Sequence, residues 1–216
     1  MTRDAQTETV HVIDDDQSMR KALDRLFRSA GLRTHTYDSP ANFLTAKEPD
    51  LAGCLVLDVR LPGVNGLDFH AQLAAQGVYL PVIFMTGHGN IPMSVRGMKG
   101  GAVDFLTKPF HDEEMLAAVA QAMALDRDQR KIEAVRLDLQ ARFVTLTKRE
   151  REVVDLVTMG KMNKQVAGAL GLSEITVKVH RGTAMRKMGA RTLAELVRMA
   201  ATLSKPNGLS APSTDV

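Results

Sequence analysis

This chain has no tryptophan, almost no cysteine and no long apolar run. Cys54 is its one cysteine, so an internal disulfide framework and a cysteine-based zinc site are both excluded. The six histidines, His11, His35, His70, His88, His111 and His180, show no close metal-ligand spacing. No apolar run approaches the ~20 residues that a membrane-spanning helix needs. The first nine residues are polar and include Asp4 and Glu8, which is unlike a signal peptide. A soluble cytoplasmic protein without membrane attachment is expected.

The charge is small in total and uneven in distribution. Residues 1–124 hold 11 basic and 15 acidic side chains, and residues 125–216 hold 17 and 10, so a −4 half joins a +7 half in a chain of net +3. At 216 residues there is room for two domains of about 100 residues, each with its own core. An acidic half and a basic half point to two tasks, the basic one on a polyanion.

The first half alternates strand and helix patterns. Val10–Ile13, Arg33–Tyr37, Cys54–Leu57, Pro81–Met85 and Val103–Leu106 read as strands, and the third is apolar throughout, as a strand covered on both faces must be. Met19, Ala22, Leu23, Leu26, Phe27 and Ala30 recur at helical spacing before a Gly31 stop. Ser39-Pro40 reads as a cap and first turn, and Gly66–Ala75, Ile91–Lys99 and Asp112–Met123 read as further helices. Five strands alternating with five helices predict a doubly wound, flavodoxin-like parallel sheet. Ligands of such sheets bind beyond the carboxyl ends of the strands. Asp14, Asp15, Asp58, Thr86 and Lys108 all stand there.

Any one of these acids is as readily a helix cap or a solvated turn residue; the set of five is not. Carboxylates crowded together resist joint ionisation unless a cation intervenes, and an oxygen-only donor set suits Mg²⁺. Asp15 and Asp58 are expected to ligate it directly, Asp14 through water, with a backbone carbonyl completing the shell. Asp58 could then attack a phosphoryl group and form an aspartyl phosphate, with Lys108 neutralising the phosphoryl oxygens and the Thr86 hydroxyl bonding one of them. Gly87 leaves room beside the site.

Residues 125–142 are charged, with Leu125, Ile132, Val135 and Leu139 as apolar positions. A helical linker is expected. A coiled coil stays open, since Asp128 and Arg142 occupy its partner positions. Residues 143–203 are helical in pattern. Thr147 with Glu150, and Thr192 with Glu195, have capping-box spacing. Between them a short helix, Asn163–Leu170, a Gly171 turn, a Ser173 cap and a longer helix, Glu174–Met188, form a helix-turn-helix pattern. The longer helix carries Lys178, His180, Arg181, Arg186 and Lys187, which suits a DNA groove. The tail 204–216, with Pro206, Gly208 and Pro212, is expected to be disordered.

Asp14-Asp15, Asp58-Val59-Arg60-Leu61-Pro62-Gly63, Thr86-Gly87 and Lys108-Pro109-Phe110 resemble the receiver domain of two-component response regulators, and the run from Thr86 to Leu106 resembles FixJ-type receivers in particular. Leu146–Val153, Gly160, Asn163-Lys164, Leu170–Ser173 and Thr176–Arg181 resemble the LuxR-type helix-turn-helix. Together the two cover nearly the whole chain in the order of the NarL/FixJ family. The resemblance implies that Asp58 takes phosphate from a sensor histidine kinase, that the Arg60 backbone carbonyl is a metal ligand, that the Lys108–Pro109 bond is cis, and that Phe105 is a switch residue coupled to Thr86. It implies a homodimer formed on phosphorylation, double-stranded DNA as target and, for an activator, RNA polymerase as partner. Lys178, Val179 and Gly182 are expected to face the groove, with Val179 against a thymine methyl. Lys164, Thr176, His180 and Arg181 are expected at the DNA backbone or in packing.

Gly97 and Gly100 stand where such receivers usually carry alanine, which predicts a loosely held fourth helix. His88 and Arg60, two residues beyond Thr86 and Asp58, are read as positions that could influence water access. Two other functions fit parts of the sequence. An aspartyl-phosphate phosphatase needs a second acid two residues after its nucleophile, where Arg60 stands. A constitutive DNA-binding protein with a vestigial receiver does not explain the full acidic set.

Overall fold

The computed structural model describes residues 8–46, 51–87 and 91–204. His88 and the tail from residue 205 lie outside them. The chain divides into two compact units, residues 1–130 and 131–216.

In the first unit the order is β1 (Thr9–Ile13), α1 (Gln17–Ser29), β2 (Arg33–Tyr37), α2 (Pro40–Thr45), β3 (Gly53–Asp58), β4 (Arg60–Leu61), β5 (Val64–Asn65), α3 (Gly66–Ala75), β6 (Val82–Thr86), α4 (Ile91–Lys99), β7 (Asp104–Thr107) and the start of α5 (Asp112–Val144). Five parallel strands pair in the order β2-β1-β3-β6-β7. This is the doubly wound fold expected. Alternation along the strands builds two cores. Val10, Val12, Cys54, Val56, Ile83 and Met85 pack under α1 and α5, while Ile13, Leu55, Leu57, Val82 and Phe84 pack under α2 and α3. Strands buried on both faces need both sides apolar, which is why β3 and β6 carry almost nothing else.

Local chemistry sets the element ends. Asp16 caps α1 by accepting Ser18 N–H, Ser39 caps α2 ahead of Pro40, and Asn65 caps α3 through Leu67 N–H. The two-residue strands β4 and β5 form an antiparallel hairpin turned at Gly63, where φ is +75°. The sequence shows no strand there, because two residues carry no readable period. Gly100 is not in a helix interior: it lies just past the last residue of α4.

The fifth helix does not end at Met123. It runs unbroken for 33 residues into the second unit. Its stretch after residue 124 is therefore not a uniform linker. Asp126 is buried and accepts Gly53 N–H at 2.9 Å and Arg130 Nε at 2.7 Å, and the Arg130 guanidinium also bonds the Leu51 carbonyl. Leu139 is buried in the second unit's core, whereas Ile132 and Val135 are exposed, so the seven-residue step is not one continuous seam.

The second unit continues with α6 (Lys148–Thr158), α7 (Asn163–Leu170), α8 (Glu174–Met188) and α9 (Leu193–Ser204). The capping box at Thr147 and Glu150 is present in both directions. The one at Thr192 is half made: its hydroxyl accepts Glu195 N–H, but the Glu195 carboxylate takes Arg191 N–H instead. Ser204, expected to begin the tail, closes α9. Val153, Val154, Val157, Val166, Val177, Ala184, Met188 and Leu196 form the core.

Candidate phosphoacceptor pocket and DNA-binding face

Asp14 and Asp58 stand at the carboxyl ends of adjacent strands β1 and β3, and Lys108 follows β7. Lys108 Nζ reaches both acids, at 2.6 Å from Asp14 Oδ2 and 2.5 Å from Asp58 Oδ2. Backbone amides hold the other carboxylate oxygens: Asp16 N–H bonds Asp14 Oδ1 and Arg60 N–H bonds Asp58 Oδ1, each at 2.8 Å. Arg20 fixes the strand end by donating to the Asp14 carbonyl at 2.6 Å. Asp15 is exposed, and one carboxylate oxygen from each of Asp14, Asp15 and Asp58 lies within 4.8 Å of the others.

The electrostatics follow from this packing. Burial holds the Asp14 carboxyl above its usual range, against the pull of Lys108 and the Asp16 amide. Burial alone would lower Lys108; its hydrogen bonds to Asp14 and Asp58 outweigh that and hold the ammonium above its ordinary value. Three carboxylates that each offer an oxygen within 4.8 Å of the others, two of them buried, fit a hard divalent cation.

Thr86 ends β6, fully buried, and its carbonyl accepts Lys108 N–H at 2.8 Å. Phe105 is half-buried in β7 opposite Phe84, on the side of the sheet that α4 covers. The Lys108–Pro109 peptide is cis. Arg60 is exposed in β4.

Two glycines belong to this site. A Cβ at Gly66 would lie 2.3 Å from the Asp58 carbonyl oxygen, so only glycine lets α3 begin so close to that strand end. Sequence reasoning used Gly66 merely as a helix start; nothing in one sequence reports a tertiary approach. By propensity Gly97 loosens α4, yet it is buried, with Phe105, Phe84 and Leu67 within 3.4 Å of the place a methyl would take.

On the second unit, Gly171 in the left-handed conformation (φ +65°) ends α7, and Ser173 caps α8 through Thr176 N–H. Lys178, Val179 and Gly182 are exposed on one face of α8, and Lys164 is exposed on α7. The other candidates are spread differently. Thr176 Oγ1 pairs with Ser173 Oγ at 2.8 Å, His180 is half-buried, and Arg181 donates to Asn163 Oδ1 at 3.1 Å, tying α8 to α7. Lys187, counted in the sequence among the bases facing a groove, points inward instead, 2.7 Å from Glu150 Oε2. Ile175 is exposed on the same face as Val179 and was missed; an apolar residue in a short helical turn is indistinguishable by pattern from core.

Residues 10–120 match the response regulator receiver domain and residues 144–200 the bacterial regulatory proteins of the luxR family. This chain is a response regulator of the NarL/FixJ family. It is 52% identical to Nodulation protein W of Bradyrhizobium diazoefficiens over 206 residues, covering 95% of this chain and 89% of that protein. It is 45% identical to the transcriptional regulatory protein FixJ of Azorhizobium caulinodans, covering 88% and 90%. Among solved structures, the response regulator StyR superposes with a TM-score of 0.78 at 45% identity, covering 90% of this regulator and 98% of that chain. Full-length FixJ from B. japonicum gives 0.56 at 40% identity, covering 91% and 97%. The regulator is therefore a phosphorylation-controlled transcription factor that binds DNA through a LuxR-type helix-turn-helix, and its relatives are regulators rather than enzymes. No helix among its described residues is long and apolar enough to cross a membrane.

Proposed function

We propose that Asp58 is the phosphoacceptor of this regulator and that a sensor histidine kinase is the donor. The reading rests on one arrangement above all: Lys108 bridging Asp14 and Asp58, with Asp15 beside them. Asp14, Asp15, Asp58 and the Arg60 carbonyl are the residues that would hold Mg²⁺, which supplies charge neutralisation at phosphoryl oxygens. An Asp58 carboxylate oxygen attacks the phosphorus of a phosphohistidine. The P–N bond breaks, the imidazole departs with its electron pair, and a P–O bond to Asp58 forms. Lys108 Nζ exchanges its carboxylate contact for a phosphoryl oxygen, and the Thr86 hydroxyl donates to another. Phe105 follows Thr86, carrying the change to α4 and β7.

The phosphoacceptor function belongs to residues 1–124 and DNA binding to 143–203, with 125–142 as a helical connection whose Asp126 and Arg130 tie back to the first unit and whose Leu139 packs into the core of the second. Phosphorylation promotes a homodimer on paired half-sites in the cytoplasm, contacting RNA polymerase where the regulator activates. Lys178, Val179 and Gly182 face the groove; Lys164, Thr176 and His180 serve the phosphate backbone, and Arg181 positions α8 from α7.

A small phosphodonor tests the acceptor directly. Wild type becomes labelled at an acid-stable, base-labile site, and Asp58→Ala does not. Labelling that persists in Asp58→Ala removes Asp58 from the role. Genome-wide footprinting with and without the phosphodonor then reports sites, symmetry and switching together.

A further inference from the structure

We infer that Ile175 and Val179 form an apolar ridge on α8 that reads the C5-methyl groups of thymines in the major groove, making Ile175 a specificity-determining residue. This rests on DNA binding by the second unit and goes beyond it by naming the base feature read.

The helix has two apolar sets. Val177, Ala184 and Met188 are buried and hold α8 to its own domain. Ile175 and Val179 are 77% and 61% exposed and contribute nothing to that core. They are four residues apart, so they sit on one face about 6 Å apart along the helix axis. Lys178 lies on the same face and Gly182 continues it, with open space where a Cβ would go. An exposed β-branched pair beside a lysine is poorly placed for water and well placed for a polyanion with methyl groups in its groove. Arg186, exposed on the same helix face three turns on from Ile175, adds positive charge. Glu174 is the one acid in the first turn of α8, about a third of a turn from the Ile175–Val179 line. The only feature of a base edge that an aliphatic side chain can recognise in the major groove is the thymine methyl. Two side chains about 6 Å apart span roughly two base steps of 3.4 Å, which predicts two thymines close together in each half-site.

The test begins with in vitro selection of a DNA site by the full chain treated with a small phosphodonor. Each thymine of the selected site is then replaced singly by deoxyuridine, which removes only the methyl. At two positions in each half-site, deoxyuridine weakens wild-type binding about fourfold, the factor for burying one methyl-sized group. Ile175→Ala loses that sensitivity at one of the two positions and keeps it at the other, and Ile175→Val restores part of the lost difference. Circular dichroism confirms folding, which an exposed residue should not disturb. Equal deoxyuridine sensitivity in wild type and Ile175→Ala at every position overturns the inference while leaving DNA binding intact. A wild-type chain that enriches no sequence at all overturns the DNA-binding reading and the inference with it.

Discussion

Gly97 in α4 faces the ring of Phe105 in β7 so closely that a methyl at position 97 would lie 3.2 Å from Phe105 Cδ2. Phe84 and Leu67 stand at 3.3 and 3.4 Å from the same point. The sequence alone predicts that alanine here would stiffen α4, by about 1 kcal/mol of helix propensity. The packing adds an opposing cost, since a crowded core must shift to admit a methyl. Gly97→Ala is therefore expected to leave overall stability within about 1 kcal/mol of wild type. Its main effect falls on Phe105, whose inward rotation loses room. The ratio of DNA affinities with and without a phosphodonor should shrink in the variant; an unchanged ratio refutes this. Gly100 is a separate matter, because it follows α4 and its Cβ would meet only the Gly97 and Arg96 carbonyls.

The acidic pocket predicts a metal response. Mg²⁺ should raise the melting temperature of the receiver, by about 1.4 kcal/mol of stability at ten times the dissociation constant. Chelation with EDTA should reverse it. Asp15→Asn should weaken the response while leaving the fold intact, because Asp15 is exposed and its carboxylate still lies within 4.8 Å of the other two. A thermal-shift titration reads this directly. Equal Mg²⁺ responses in wild type and Asp15→Asn would take Asp15 out of the site.

Most of the sheet and the acidic cluster were legible because both follow from local pattern. Short apolar runs end in Asp14, Asp58 and Thr86, and a parallel sheet must bring such ends to one edge. What stayed hidden depends on three-dimensional approach. Gly66 is needed because the Asp58 carbonyl passes 2.3 Å from its absent Cβ, and no spacing encodes that. Lys187 reads as a groove-facing cation until Glu150 is found beside it, 37 residues away in sequence. The same holds for Asp126, which looks like one charge among many in a polar helix.

Asp126 is in fact 2% exposed and joins α5 to the start of β3. Burial raises its carboxyl above the usual range, with Arg130 and Gly53 N–H pulling the other way. Asp126→Ala leaves the Gly53 amide without its acceptor and Arg130 without its carboxylate. The expected loss is about 2–4 kcal/mol of receiver stability. Asp126→Asn should cost less, since a carboxamide oxygen still accepts from Gly53. Urea denaturation ranks the three proteins; Ala and Asn variants of equal stability would show that the Gly53 bond carries none of the effect.

We expect Glu150 to make the second unit sensitive to acid. The Lys187 ammonium, and then the Thr147 amide, hold its carboxyl below the ordinary range. A carboxyl lowered by folding stabilises the native state at every pH above its unfolded value, and that stability is lost as pH falls through the folded one. The DNA-binding unit should therefore weaken below about pH 4.5, the ordinary value for Glu, and continue to weaken as Glu150 protonates. Glu150→Gln keeps an acceptor for the Thr147 amide but gives Lys187 no charge to pair with. It should cost about 1–2 kcal/mol at neutral pH. The two proteins should converge in acid, where the wild-type carboxylate is lost as well. Thermal unfolding of the second unit followed from pH 7 to pH 3 separates the cases. A gap between wild type and Glu150→Gln that stays constant over that range means the charge on Glu150 does not stabilise the fold.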